Sequence, residues 1–206
     1  SHHHVIGFVG SIRRDKGCNE LISACRSIFS DMNEARLLLV GDKQFYKTID
    51  RDLRDWVESS PQVIHIRRNN EIPQYMACTD IFSLPSYREG FPMVVVEAEA
   101  MGVPVVVSNV PGPIDAMRHE ETGLVVPVKD AEMLASALQA LLKDKAKRMA
   151  FGRAAAAFVR DKFDQQEYLR HVLEDKEELL LGKHCATKDH AWRGKRFFDV
   201  TMTVAG

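Results

Sequence analysis

Charge of one sign is what this 206-residue sequence most lacks: 28 basic residues against 29 acidic ones leave a formal net charge of −1. That balance removes the positive field expected of a nucleic-acid binder, so no nucleic-acid partner is expected. Long apolar runs are missing too. None approaches the roughly 18 residues needed to cross a bilayer, so no span is read from the sequence. The opening SHHHVIGFVG lacks the basic region, long apolar region and cleavage site of a secretory leader; residues 1–4 are read as a tag remnant. Cysteine is scarce. Cys18, Cys25, Cys78 and Cys185 form no CxxC pair and no His-rich ligand spacing, which argues against a zinc site and for reduced thiols in a cytosolic setting. Cys18 and Cys25 fall two turns apart on one helix and are expected to pack as buried thiols. Internal repeats and low-complexity segments are also absent.

What is present is 45% apolar residues, enough for one sizeable core plus an appendage. Apolar runs bounded by turn residues recur at 5–9, 35–40, 62–66, 80–84, 103–108 and 123–128. Helical patterns lie between them at 18–29, 46–59, 72–78 and 93–101, with a short turn near 115–117. Strands apolar throughout, alternating with helices, predict an α/β fold: a Rossmann-like, doubly wound parallel sheet of about six strands. Asp130 is a predicted N-cap for a helix in AEMLASALQALLK, and further helices are predicted at 145–163 and 165–181. Periodicity stops over 182–194, which reads as a linker.

Residues 84–112, LPSYREGFPMVVVEAEAMGVPVVVSNVPG, are the stretch the chain is organised around. A strand end, a polar loop and the start of an apolar helix place backbone N–H groups and a helix dipole at the mouth of a cleft, which suits a phosphate. Glu89 and Glu97, eight apart, are poor anion ligands but good acceptors for sugar or ribose hydroxyls. Phosphate plus hydroxyls points to a nucleotide-sugar. The loop after the first strand, GSIRRDKGC, carries Arg13, Arg14 and Lys16 between Gly10 and Gly17. Cations there suit a diphosphate, although alone they equally describe a solvated turn. In a doubly wound sheet the first and fourth strands are neighbours at the switch point, so both loops should face one ligand.

Asn109, Pro111, Gly112 and Pro113 form a rigid turn near the same cleft, either shaping the ligand site or simply linking strand to helix. Glu99 follows Glu97 by two positions, a rotation of about 200°, and is expected on a solvent face. Asp80, Asp115, His65, His119, His171, His184 and His190 show no nucleophile-base pattern, and no general base is visible.

These residues resemble a family: the carboxyl-terminal, donor-binding half of retaining GT-B glycosyltransferases, family 4 or group 1 type. The likeness runs from FVGSIRRDKG through NEIPQYMACTDIFSLPSYREGFPMVVVEAEAMGVPVVVS to ETGLVVPVKDAEMLASAL. It implies that Glu89 binds donor-sugar hydroxyls, Glu97 the nucleotide ribose and Lys16 the diphosphate, with Glu89 and Lys16 carrying the catalytic roles. The amides after Glu89 that would meet phosphate belong to Gly90, Phe91 and Met93, since Pro92 has no N–H. Where many members carry an arginine after the glycine matching Gly10, this chain has Ser11, so Arg13 or Arg14 substitutes or diphosphate binding is weaker.

The resemblance implies a bacterial donor domain over residues 5–181 that binds a UDP-sugar, of N-acetylhexosamine type, for transfer with retention to a lipid-linked or glycan acceptor in cell-surface polysaccharide assembly. It implies no metal cofactor, because Lys16, an arginine and helix amides neutralise the diphosphate. It also implies a cytoplasmic protein at the inner membrane face, and an acceptor-binding domain preceding this one, without which turnover is not expected. Residues 195–206, KRFFDVTMTVAG, resemble the opening of bacterial polyprenyl-phosphate sugar-phosphate transferases, implying a second domain with a membrane-inserted helix. The rival readings are a GT-B-like epimerase or phosphorylase, and a non-catalytic nucleotide-sugar-binding scaffold.

Overall fold

The computed structural model describes residues 3–42, 47–67 and 71–163. The predicted helix at 165–181, the linker at 182–194 and the segment at 195–206 lie outside the described residues. So do Cys185, His171, His184 and His190. Six strands alternate with helices: β1 (His4–Val9), α1 (Cys18–Asp31), β2 (Ala35–Val40), α2 (Arg51–Ser59), β3 (Val63–Ile66), α3 (Ile72–Ala77), β4 (Ile81–Leu84), α4 (Met93–Ala100), β5 (Val105–Ser108), β6 (Gly123–Val126), α5 (Ala131–Lys143) and α6 (Lys145–Lys162). His4, grouped in the sequence with the tag, opens β1 and donates its N–H to the Glu34 carbonyl at 3.1 Å.

All strands are parallel in the order β3-β2-β1-β4-β5-β6. β4 and β5 are buried at every position, which is why they read as unbroken apolar runs. β1 pairs with β2 on one side (Ile6↔Leu37) and with β4 on the other (Ile6↔Ile81, Gly7↔Phe82). The order therefore reverses direction at β1 and β4. Right-handed crossovers leaving that point in opposite directions put helices on both faces: α1 packs with α2 and α5, and α3 with α4. The core of the first face is Leu21, Ile22 and Cys25 of α1 with Leu134, Leu138 and Leu141 of α5.

The predicted helix from residue 46 starts at Arg51. The turn near 115–117 closes no helix. Asp130 caps α5 as expected, its Oδ1 accepting from the Met133 N–H at 2.8 Å. Cys18 and Cys25 are fully buried free thiols, and burial pushes the Cys18 thiol up to about 12.

The chain divides into two compact units after Phe158; the described part of the second, residues 159–163, ends α6, with Phe163 N–H donating to Val159 O at 2.9 Å. Within the first unit, at the amino end of the sheet, buried Arg148 donates from one guanidinium nitrogen to the carbonyls of Leu141 (2.7 Å) and Leu142 (3.0 Å). Its Nε lies 3.8 Å from Asp80, and Asp80 in turn accepts the Val5 N–H at 2.9 Å. One arginine thus closes the last carbonyls of α5 and ties α6 to the strands.

At the carboxyl end, glycines let loops touch. Gly17 is left-handed (φ 69°), and a Cβ there would overlap the Pro85 carbonyl. Gly112 is left-handed too (φ 93°), and its Cβ would overlap the Gly90 carbonyl. A Cβ on Gly90 would meet nothing within 4 Å.

Two stability predictions follow from these contacts. In urea denaturation, Arg148→Ala should cost about 2–4 kcal/mol, because charged hydrogen bonds to buried carbonyls are lost, while exposed Arg153→Ala stays within about 0.5 kcal/mol. Equal effects would remove the staple. Gly112→Ala should cost at least about 2 kcal/mol and Gly90→Ala about 0.5 kcal/mol or less, since strain and collision arise on only one side of the contact.

Candidate functional site

The site lies at the carboxyl ends of β1 and β4. Buried β4 delivers Pro85 and Ser86, themselves buried, before the chain rises through Tyr87, Arg88, Glu89 and Gly90 to Pro92, the N-cap of α4. Opposite, β1 releases Gly10 and Ser11, then a single turn of 3-10 helix, Arg14–Lys16, ended by left-handed Gly17.

Lys16 and Glu89, 73 positions apart, meet here: Nζ lies 2.5 Å from Oε1, with side-chain exposures of only 20% and 15%. The Ser86 hydroxyl donates to the same carboxylate oxygen at 2.9 Å. Partial burial makes this pair stronger than an exposed one and holds Glu89 in one orientation. The other two cations of the loop are paired elsewhere. Arg13 Nε lies 2.7 Å from Asp15, and Arg14 lies 3.8 Å from Asp50, with its N–H donating to Thr48 at 3.0 Å. Lys16 is therefore the loop cation set against Glu89.

α4 begins beside the pair. The first turn of a helix has N–H groups without intrahelical acceptors; here they follow Gly90 and Phe91. Pro92, at the N-cap, removes one donor. Glu97 is exposed on α4. Glu99 corrects the sequence expectation: it is fully buried, with Val95, Val96 and Ala98 on the inward face. The rotation of about 200° between the two glutamates holds, but Glu97 is the outward one and Glu99 the inward one. MVVVEAEA is apolar all round, so no amphipathic stripe in the sequence marked which glutamate faced the core.

The sequence reading missed Tyr87. Its N–H donates to the Asp15 carbonyl at 2.9 Å, and its hydroxyl donates to Glu20 Oε1 at 2.7 Å. Lys129 Nζ sits 5.0 Å above the ring, from a left-handed backbone (φ 59°). Burial, reinforced by the hydrogen bond to Glu20, pushes the phenol up to about 12. An aromatic inside a polar loop was the available signal. On the β5 side Asn109 is exposed, and the Gly112 N–H donates to Asp115 Oδ2 at 3.2 Å.

Chemically, the arrangement joins a lysine, a helix start and a carboxylate able to accept hydroxyls. No group of three or more His, Cys, Asp or Glu gathers as a metal site among the described residues. No helix among them is long and apolar enough to cross a membrane.

Known proteins resemble this chain in sequence and in fold. The capsular polysaccharide biosynthesis glycosyltransferase CapM of Staphylococcus aureus is 33% identical over 162 residues, covering 79% of this chain and 43% of that protein. The chain thus spans less than half the length of this relative. The C-terminal domain of a glycosyl transferase group 1 family protein (LpcC) from Francisella tularensis superposes with a TM-score of 0.70 at 25% identity, covering 78% of this chain and 86% of that one. Anabaena HepE, in complex with UDP and glucose, shares the fold with a TM-score of 0.74 at 24% identity, over 85% of this chain and 48% of that one. Residues 2–158 match the family model described as Glycosyl transferases group 1; the chain belongs to that family.

Proposed function

We propose that this chain is the donor-binding domain of a bacterial retaining glycosyltransferase, holding a UDP-sugar for transfer to a lipid-linked or glycan acceptor in cell-surface polysaccharide assembly. The observation that carries this reading is the meeting of Lys16 and Glu89 beside the start of α4, at the carboxyl ends of β1 and β4. That is where a doubly wound sheet takes its ligand. The HepE complex with UDP and glucose and the capsule-building role in the name of the S. aureus relative support donor and pathway.

In this reading the donor diphosphate takes Lys16, and the N–H groups of Gly90, Phe91 and Met93 orient its oxygens. Glu89, released from Lys16, accepts hydroxyls of the sugar, and Glu97 accepts those of the ribose. As the bond between the sugar and the diphosphate breaks, negative charge grows on the departing phosphate oxygen. Lys16 and the amides stabilise that charge in place of a metal cation. The acceptor comes from a preceding domain, so the chain alone binds the donor without multiple turnover.

Calorimetric titration with UDP and UDP-glucose tests the assignment. Lys16→Ala should weaken both ligands by roughly 10- to 150-fold, the worth of a charge-assisted contact. Glu97→Ala should weaken both comparably. Glu89→Ala should lose UDP-glucose affinity while leaving UDP unchanged or slightly tighter, since Lys16 no longer has to leave a carboxylate. Equal losses for both ligands in Glu89→Ala would overturn its sugar-contact role; unaltered binding in all three would move the nucleotide elsewhere.

Turnover by the purified chain gives a second check. No product should accumulate beyond one equivalent with UDP-glucose and a glycan acceptor, and repeated turnover would contradict the need for a second domain.

A further inference from the structure

Under the donor-site reading, the Lys16–Glu89 pair cannot be what holds the two loops in register during binding. Both side chains turn to the ligand, and the contact between them opens. Whatever keeps Glu89 in place must then involve neither residue.

Tyr87 meets that requirement. It lies two residues before Glu89 and reaches three separate segments of the chain. Its N–H donates to Asp15 O at 2.9 Å, directly before Lys16. Its hydroxyl donates to Glu20 at 2.7 Å, in the first turn of α1. Its ring lies under Lys129, in the turn after β6, at 5.0 Å. The charged groups facing the phenol are Glu20, which takes its hydrogen bond, and Arg14 and Lys129, whose positive charges favour that carboxylate. Glu20 stands on a fourteen-residue helix packed against α5, so the hydroxyl is fastened to a rigid element rather than to another loop.

We propose that Tyr87 is a positioning residue for the donor sugar: its hydrogen bond to Glu20 keeps the β4–α4 loop, and with it Glu89, aligned over the β1 loop once the ligand has separated Lys16 from Glu89. The inference rests on the donor-site reading above. A side chain that positions Glu89 influences the sugar more than the nucleotide, because the ribose and diphosphate retain Glu97 and Lys16.

The test is titration of the chain with UDP and UDP-glucose, after each variant has been shown to unfold cooperatively. Tyr87→Phe keeps the ring and the backbone bond to Asp15 and removes only the hydroxyl. It should lower UDP-glucose affinity relative to UDP by about 10-fold, the lower end of a hydrogen bond to a charged group. Glu20→Ala should reproduce that change, and Glu20→Gln, which keeps an acceptor, should restore the ratio to within about 2-fold. The Tyr87→Phe/Glu20→Ala pair should be no worse than either single variant, as expected of two ends of one interaction.

A Tyr87→Phe ratio equal to that of the unaltered chain, even with reduced stability, would make the bond merely structural and overturn the proposal. Losses that multiply in the double variant would overturn it as well. If the unaltered chain binds neither UDP nor UDP-glucose, the donor-site reading falls and the assignment of Tyr87 with it.

Discussion

Parallel pairing of β1 with β4 is the constraint on which the site depends. Ile6↔Ile81 and Gly7↔Phe82 lay side by side two strands separated by more than seventy residues of chain. Each strand then releases its loop at the same end of the sheet, because parallel strands share a direction. Lys16 and Glu89 meet for that reason and no local one. Nothing within either loop would bring a lysine to a carboxylate 73 positions away; the sheet order does.

The glycines complete what the pairing begins. A side chain on Gly17 would strike the Pro85 carbonyl, and one on Gly112 would strike that of Gly90, so loops after β1, β4 and β5 approach one another at backbone distance. Under the proposed donor-site reading, fixed loops matter because the ligand then finds its phosphate and hydroxyl partners already in position. The opposite end of the sheet is made rigid by different means. There Arg148 joins α6 to the last carbonyls of α5 and to Asp80, away from the candidate site. Asp80, a carboxylate with no catalytic pattern in the sequence, has this structural work.

Much of the fold was legible because its signals are local or periodic. β2 falls on the apolar run ARLLLV, and Asp130 caps α5 where its residue type and the following apolar spacing said it would. The start of α2 was not, since the helical pattern in the sequence runs on ahead of Asp50, the extended N-cap from which the helix opens. That the loops bearing Lys16 and Glu89 face one another was legible from strand order. Glu99 was misjudged because α4 is apolar on every side and a glutamate reads as a surface residue. Tyr87 went unseen because its partners, Asp15, Glu20 and Lys129, lie in segments that only the tertiary fold brings together. Spacing along a chain carries no information about such contacts.

The central claim is that the cleft between the β1 and β4 loops holds the nucleotide diphosphate. Amide chemical shifts of the isotopically labelled chain, followed during titration with UDP, address it most directly. The account predicts that the shifts which move cluster in the loop at residues 10–17 and at Gly90, Phe91 and Met93, while Val5, Asp80 and Arg148 at the other end of the sheet stay still. Shifts centred on the amino end, or none at any attainable concentration of UDP, would contradict it.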